Sequence, residues 1–220
     1  MHNRHSGIGM TSQRTRARMI ERLRAQGIGD EAVLAAMSGV PRHIFVEEVL
    51  ATRAYDDVAL PINYGQTISS PFTVARMSEV MHAGGNPQKV LEIGSGCGYQ
   101  TAVLAQLARE VYSVERVGPL LSRARTRLRE LGLNNIRLKH GDGLLGWPDC
   151  APFDAIILTA ATAQVPRLLL EQLSIGGRMV LPKGDQEQFL CVIEHNSQGF
   201  NQIILEQVKF VPMGSGIWKR

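Results

Sequence analysis

Cysteine is scarce in this chain of 220 residues. Cys97, Cys150 and Cys191 are the three present, widely spaced and odd in number. That excludes a disulfide framework and offers no zinc-ligand spacing. No apolar run approaches the roughly 18 residues of a membrane span. The N-terminus lacks the basic-then-apolar plan of a signal peptide. Internal repeats and low-complexity stretches are missing too. These absences indicate a reduced, cytoplasmic protein with no membrane partner.

Hydrophobic residues make up 44% and charged residues 20%, near the globular average. A chain of this length can bury a real core as one domain. The net charge of +4 points weakly toward nucleic acid. Its arginines gather at Arg14, Arg16, Arg18, Arg22 and Arg24, and again at Arg123, Arg125, Arg127 and Arg129. Both groups read as solvated helix faces. No aromatic stacking platform interleaves with them, so no nucleic-acid partner is expected.

Residues 1–10 have no apolar periodicity and read as a disordered leader, with Met10 a second candidate start. Residues 11–220 read as one domain, in which 11–86 is a helical and loop region and 87–220 a cofactor-binding core. Helices are expected over 11–26, with Met19, Ile20 and Leu23 inward, from Asp30 to about Ser38, and briefly after Pro41. Residues 54–69 show no period and are long for a structureless loop, which suggests function. Ser70 and Pro71 are an N-cap and first position for a helix ending near His82.

From Lys89 strands and helices alternate. Strands are expected at 89–93, 110–115, 136–140, 153–159 and 177–181. Helices are expected at 99–107, 119–131 and 165–173. FLCVIEH (189–195) and IILEQVKFV (203–211) read as an antiparallel hairpin joined by NSQGFNQ (196–202). The expected fold class is α/β: a Rossmann-like α/β/α sandwich with a seven-stranded, mostly parallel sheet.

KVLEIGSGCG (89–98) places glycines between a strand and a helix, where parallel sheets bind ligands. A dinucleotide site uses G-x-G-x-x-G to seat pyrophosphate on the helix N-terminus. Here Gly94, Gly96 and Gly98 follow G-x-G-x-G, a poor phosphate cradle. With Glu92 ahead of it, this is the form used for S-adenosylmethionine, so Gly94, Ser95 and Gly96 are assigned to that ligand. Glu92 either holds the loop or reaches the ligand's ammonium. Glu115, ending the next strand, can accept from both ribose hydroxyls. Asp142 is placed to accept from the adenine amino group, with Gly143 giving the ring room, although Asp-Gly is also a turn signal.

Several segments resemble the protein-L-isoaspartate O-methyltransferase family: VPRHIFV (40–46), DDVALPI (56–62), GQTIS (65–69), VLEIGSGCGYQTAVLA, YSVER, HGDG, PFDAIILTAA, GGRMVLPKG and VKFVPM. The resemblance runs from about Thr11 to Met213. The glycine motif is common to many methyltransferases, whereas the LPI and GQTIS elements are specific. It implies S-adenosylmethionine-dependent methylation of the free α-carboxylate of isoaspartyl residues, which starts repair through a succinimide. It implies that Ser69 orients that carboxylate, with Thr67 and Ile68 lining the same pocket. Val211 is expected to pair with substrate backbone. The expected partners are isoaspartyl proteins and peptides, and the chain is expected to be a monomer.

A carboxylate is already ionised near neutrality, so neither a general base nor a metal is called for. None of the six histidines is given a role. The family often carries Ala-Ala-Pro where this chain has Ala160-Ala161-Thr162, and Thr162 is expected to loosen that loop. The resemblance further implies that the last two strands are exchanged relative to the usual methyltransferase order. The rival readings are a methyltransferase for RNA or a small metabolite, an NAD-dependent dehydrogenase, and a binding module without activity.

Overall fold

The computed structural model describes residues 9–219. Most of the expected leader therefore lies outside the described residues, and Gly9–Thr11 forms a single 3₁₀ turn. Helix α1 (Gln13–Ala25) starts at Ser12, whose side chain accepts from the Thr15 N–H, and buries Met19, Ile20 and Leu23. Asp30 caps α2 (Glu31–Gly39) by accepting from Ala32 and Val33. The stretch after Pro41 forms two 3₁₀ turns, Arg42–Phe45 and Glu48–Arg53.

Residues 54–69 are more ordered than their composition suggests. They hold a small hairpin of β1 (Leu60–Pro61) and β2 (Thr67–Ile68), paired Leu60 to Ile68 and Pro61 to Thr67. Asn63, Tyr64 and Gly65 all take positive φ at its tip. For Asn63 and Tyr64 that conformation is uncommon, so the tip stores strain. Ser70 then caps α3 (Pro71–His82), with Pro71 in the first turn.

Seven strands form the main sheet: β3 (Lys89–Ile93), β4 (Glu110–Glu115), β5 (Ile136–His140), β6 (Phe153–Leu158), β7 (Leu173–Gly184), β8 (Gln188–Asn196) and β9 (Gly199–Val208). Their order is β5-β4-β3-β6-β7-β8-β9. The first five are parallel, and β8 runs antiparallel to both neighbours. The last three strands thus lie in chain order, the exchange that the family resemblance implies. Helices α4 (Tyr99–Leu107), α5 (Gly118–Glu130) and α6 (Arg167–Leu170) join the parallel strands.

Side chains alternate across the sheet. Val90, Val111, Ala155 and Val180 pack into one core with α1 to α5. Leu91, Tyr112, Ile156 and Met179 pack into the other, under Leu169 and a set of loops. The sandwich is therefore thick on one face and thin on the other.

Three expectations need correction. The helix at 165–173 shrinks to four residues, because Pro166 delays its start and Leu173 already pairs with Phe153 in the sheet. The β8–β9 connection is not seven residues long. Asn196 pairs with Gly199, the Asn196 side chain accepts from the Gln198 N–H, and His195 stacks on Phe200 at 4.3 Å. Nor are the arginine groups merely solvated. Arg16 and Arg22 donate to the carbonyls of Ser38 and Tyr55, Arg127 donates to that of Phe45, and Arg123 pairs with Glu47 at 2.9 Å.

Candidate active site

The sheet reverses its order of winding at β3, with β4 on one side and β6 on the other. A cleft partly open to solvent lies at the carboxyl ends of these strands. Such switch points are where open α/β sheets bind ligands. Its walls include Thr67, Ile68 and Ser69 from the hairpin, Gly94, Ser95 and Gly96 from the glycine loop, then Glu115, Gly143 and Val211. Nine of the sequence-assigned residues thus meet in one cleft. Glu92 and Asp142 stand behind its walls.

The glycine loop needs its glycines. Gly94 has φ +99°, and a Cβ there would lie 2.4 Å from the Thr159 hydroxyl oxygen. At Gly143 a Cβ would sit 2.5 Å from Ile93 Cγ2. Both positions keep the backbone bare where a ligand approaches.

Glu115 is 6% exposed. Its Oε2 accepts from the Gly96 N–H and its Oε1 from the Val117 N–H, each at 2.8 Å. Burial pushes its pKa up from the usual carboxylate value, and those backbone donors oppose the rise. Each carboxylate oxygen keeps a second lone pair for a ligand hydroxyl. The residue therefore ties the glycine loop to the end of β4 and keeps acceptor capacity in the cleft wall.

Glu92 is fully buried in β3. Its Oε2 accepts from the hydroxyls of Thr101 and Ser113, and Ser113 is bonded to Ser95 at 2.6 Å. Glu92 thus supports the glycine loop from below. Among the described residues its Oε1 has no hydrogen-bond partner. Burial pushes its pKa up to about 7, against the two hydroxyl donors. This predicts a pH effect on stability. The unfolded chain ionises at Glu92 near 4.5 and the folded chain only near 7, so stability falls as pH rises across that window. Glu92→Gln should remove a loss on the order of 3 kcal/mol between pH 4.5 and 8. Urea titrations of both proteins at the two ends of that range measure it, and parallel profiles would contradict it.

The remaining assigned residues make bonds within the chain. Asp142 Oδ1 accepts from the Leu144 N–H and Oδ2 from the Gly216 N–H. Its carboxylate holds a turn and the C-terminal tail, behind the cleft wall. Val211 lines the cleft, but its carbonyl accepts from the Ala161 N–H, so that group is not open to a substrate strand. Thr162 is anchored, not loosened: its N–H donates to Pro182, its hydroxyl donates to Gln164 and its carbonyl accepts from Gly184. A proline could not make the first of these bonds.

Residues missed in the sequence also shape the cleft. Arg116 donates to the carbonyls of Ser215 and Gly216, and its own carbonyl accepts from the Trp218 N–H. Trp218 meets Tyr64 edge-on at 5.3 Å. The tail is thereby drawn across from β4 to the hairpin tip, with Met213 and Gly214 in the cleft wall. Nothing in GSGIWKR signals this from sequence, since every partner is distant in the chain.

The sequence profile of the family described as Protein-L-isoaspartate(D-aspartate) O-methyltransferase matches residues 14–217. This chain belongs to that family. The protein-L-isoaspartate O-methyltransferase 2 of Nitrosospira multiformis is 72% identical over 211 residues, covering 96% of this chain and all of that one. That of Nitrosomonas eutropha is 64% identical over 219 residues, covering 99% of each. A solved protein-L-isoaspartate O-methyltransferase superposes with a TM-score of 0.83 at 25% identity, over 91% of this chain, which spans 66% of that one. A Plasmodium falciparum protein described by the same activity, solved with S-adenosyl-L-homocysteine, gives 0.80 at 25% identity over 90% of this chain and 98% of that one. The chain is a methyltransferase of this family, with S-adenosylmethionine as its methyl donor.

Proposed function

We propose that this chain transfers the methyl group of S-adenosylmethionine to the free α-carboxylate of L-isoaspartyl residues in damaged proteins and peptides. The observation that carries the reading is the Ser69 hydroxyl. It stands in the wall of the glycine-loop cleft, and among the described residues it makes no hydrogen bond. A serine nucleophile would need an adjacent base, whereas a hydroxyl that donates to a substrate carboxylate needs none.

Bound S-adenosylmethionine supplies a methyl group activated on a sulfonium. The chain supplies position. Glu115 accepts from the ribose hydroxyls, and the backbone of Gly94 to Gly96 gives close approach. Glu92, behind the cleft wall, holds the glycine loop through Ser113 and Ser95. Gly143 leaves room for the adenine ring. Ser69 donates to one carboxylate oxygen and leaves the other free to attack, while Thr67, Ile68 and Val211 wall the acceptor site. Alignment of this kind supplies on the order of 7–11 kcal/mol. A monomer is the proposed working form. A cytoplasmic location is supported by three unpaired cysteines.

The ester formed on the α-carboxylate is open to attack by the next backbone nitrogen, which expels methanol and closes a succinimide. Hydrolysis of that ring gives aspartyl and isoaspartyl products. An isoaspartyl peptide incubated with enzyme and S-adenosylmethionine should therefore accumulate its aspartyl form over hours. A stable product with no aspartyl peptide would contradict esterification at that position.

A further inference from the structure

Arg42 is the largest side chain buried without solvent access, and it forms no ion pair with any described carboxylate. Burying a guanidinium is costly unless its donors are used. Nε donates to the Ala54 carbonyl at 2.7 Å and Nη2 to the Ser69 carbonyl at 2.6 Å, while Nη1 has no hydrogen-bond partner among the described residues. The group lies 4.8 Å from the centre of the Tyr99 ring, and Tyr99 lines the cleft as the first residue of α4.

These contacts have a geometric consequence. Ala54 and Ser69 are the two ends of the hairpin segment. One planar fork holds both carbonyls at once and stacks on the helix that follows the glycine loop. A lysine ammonium cannot copy this, because it is a point charge without the fixed fork.

We propose that Arg42 is a positioning residue for methyl transfer, clamping the ends of segment 54–69 so that the Ser69 hydroxyl faces the cofactor side of the cleft. The proposal rests on the role given to Ser69 above. Arg42 acts through the backbone of Ser69 and touches neither substrate nor cofactor.

The test is a double-mutant cycle of Arg42→Lys and Ser69→Ala, read with an isoaspartyl peptide and with S-adenosyl-L-homocysteine binding. R42K should lower kcat/KM by about tenfold or more, with inhibitor affinity kept within about threefold. The double variant should be no worse than S69A alone, because the clamp works through that serine. Amide exchange in R42K should quicken within residues 55–69 and not in the sheet. A general structural role would instead give additive losses, or equal losses of peptide and inhibitor binding, and either result overturns the proposal. An impaired S69A beside a normal R42K sinks the clamp alone. A fully active S69A removes the serine's role and the clamp's purpose with it. Should R42K not fold, the wild-type protein still decides. Its Arg42 Nε–H should exchange slowly with water by NMR, and fast exchange contradicts the clamp.

Discussion

Ser69→Ala should cut kcat for an isoaspartyl peptide by roughly 10- to 150-fold, because a hydrogen bond to a charged group contributes about 1.5–3 kcal/mol. Affinity for S-adenosyl-L-homocysteine should stay near that of the wild type. The split follows from the structure. The Ser69 carbonyl is held by Arg42 and helix α3 is capped by Ser70, so the hydroxyl carries no structural duty. Removing it leaves the glycine loop and Glu115 untouched. Steady-state kinetics with saturating cofactor, beside calorimetric binding of the inhibitor, measure both halves. Wild-type turnover would take Ser69 out of the chemistry.

Glu115→Ala should have the opposite signature. Two ribose hydroxyls lose a charged acceptor, and each such bond contributes about 1.5–3 kcal/mol. Gly96 and Val117 also lose the acceptors of their N–H groups. Affinity for S-adenosyl-L-homocysteine should fall by more than about a hundredfold. Once cofactor saturation is approached, the peptide KM should change far less. Isothermal titration gives the first quantity and initial rates at high S-adenosylmethionine the second. Near-normal inhibitor binding in E115A would show that the diol is held elsewhere.

How far the fold was legible follows from what each signal depends on. The strands at 89–93, 110–115 and 153–158 are short apolar runs bounded by turns, and they appear where expected. The segment 165–173 is apolar too, but periodicity cannot tell the end of a helix from the start of a buried strand. There the sheet wins, since Leu173 must meet Phe153. The β8–β9 turn was misjudged because Phe200 to Gln202 mix polar and apolar residues on an edge strand with a solvent face. The glycine loop and Glu115 were legible because they sit at fixed offsets from one strand. The bonds of Asp142 to the tail at Gly216 and of Val211 to Ala161 were not, because those partners are distant in the chain. Arg42 was the least legible of all. An arginine reads as surface, and its two acceptors lie 12 and 27 residues away.

Two patterns in the cleft divide the work. In the proposed reading the glycine loop and Glu115 hold the methyl donor, with Glu92 supporting the loop from below. In the same reading the hairpin ending at Ser69 selects the acceptor. The most direct test offers labelled S-adenosylmethionine with an isoaspartyl peptide and, separately, its aspartyl twin of the same sequence. Label should enter the isoaspartyl peptide and not the twin. Equal labelling of the two, or label taken up by RNA in place of either, would contradict the assignment.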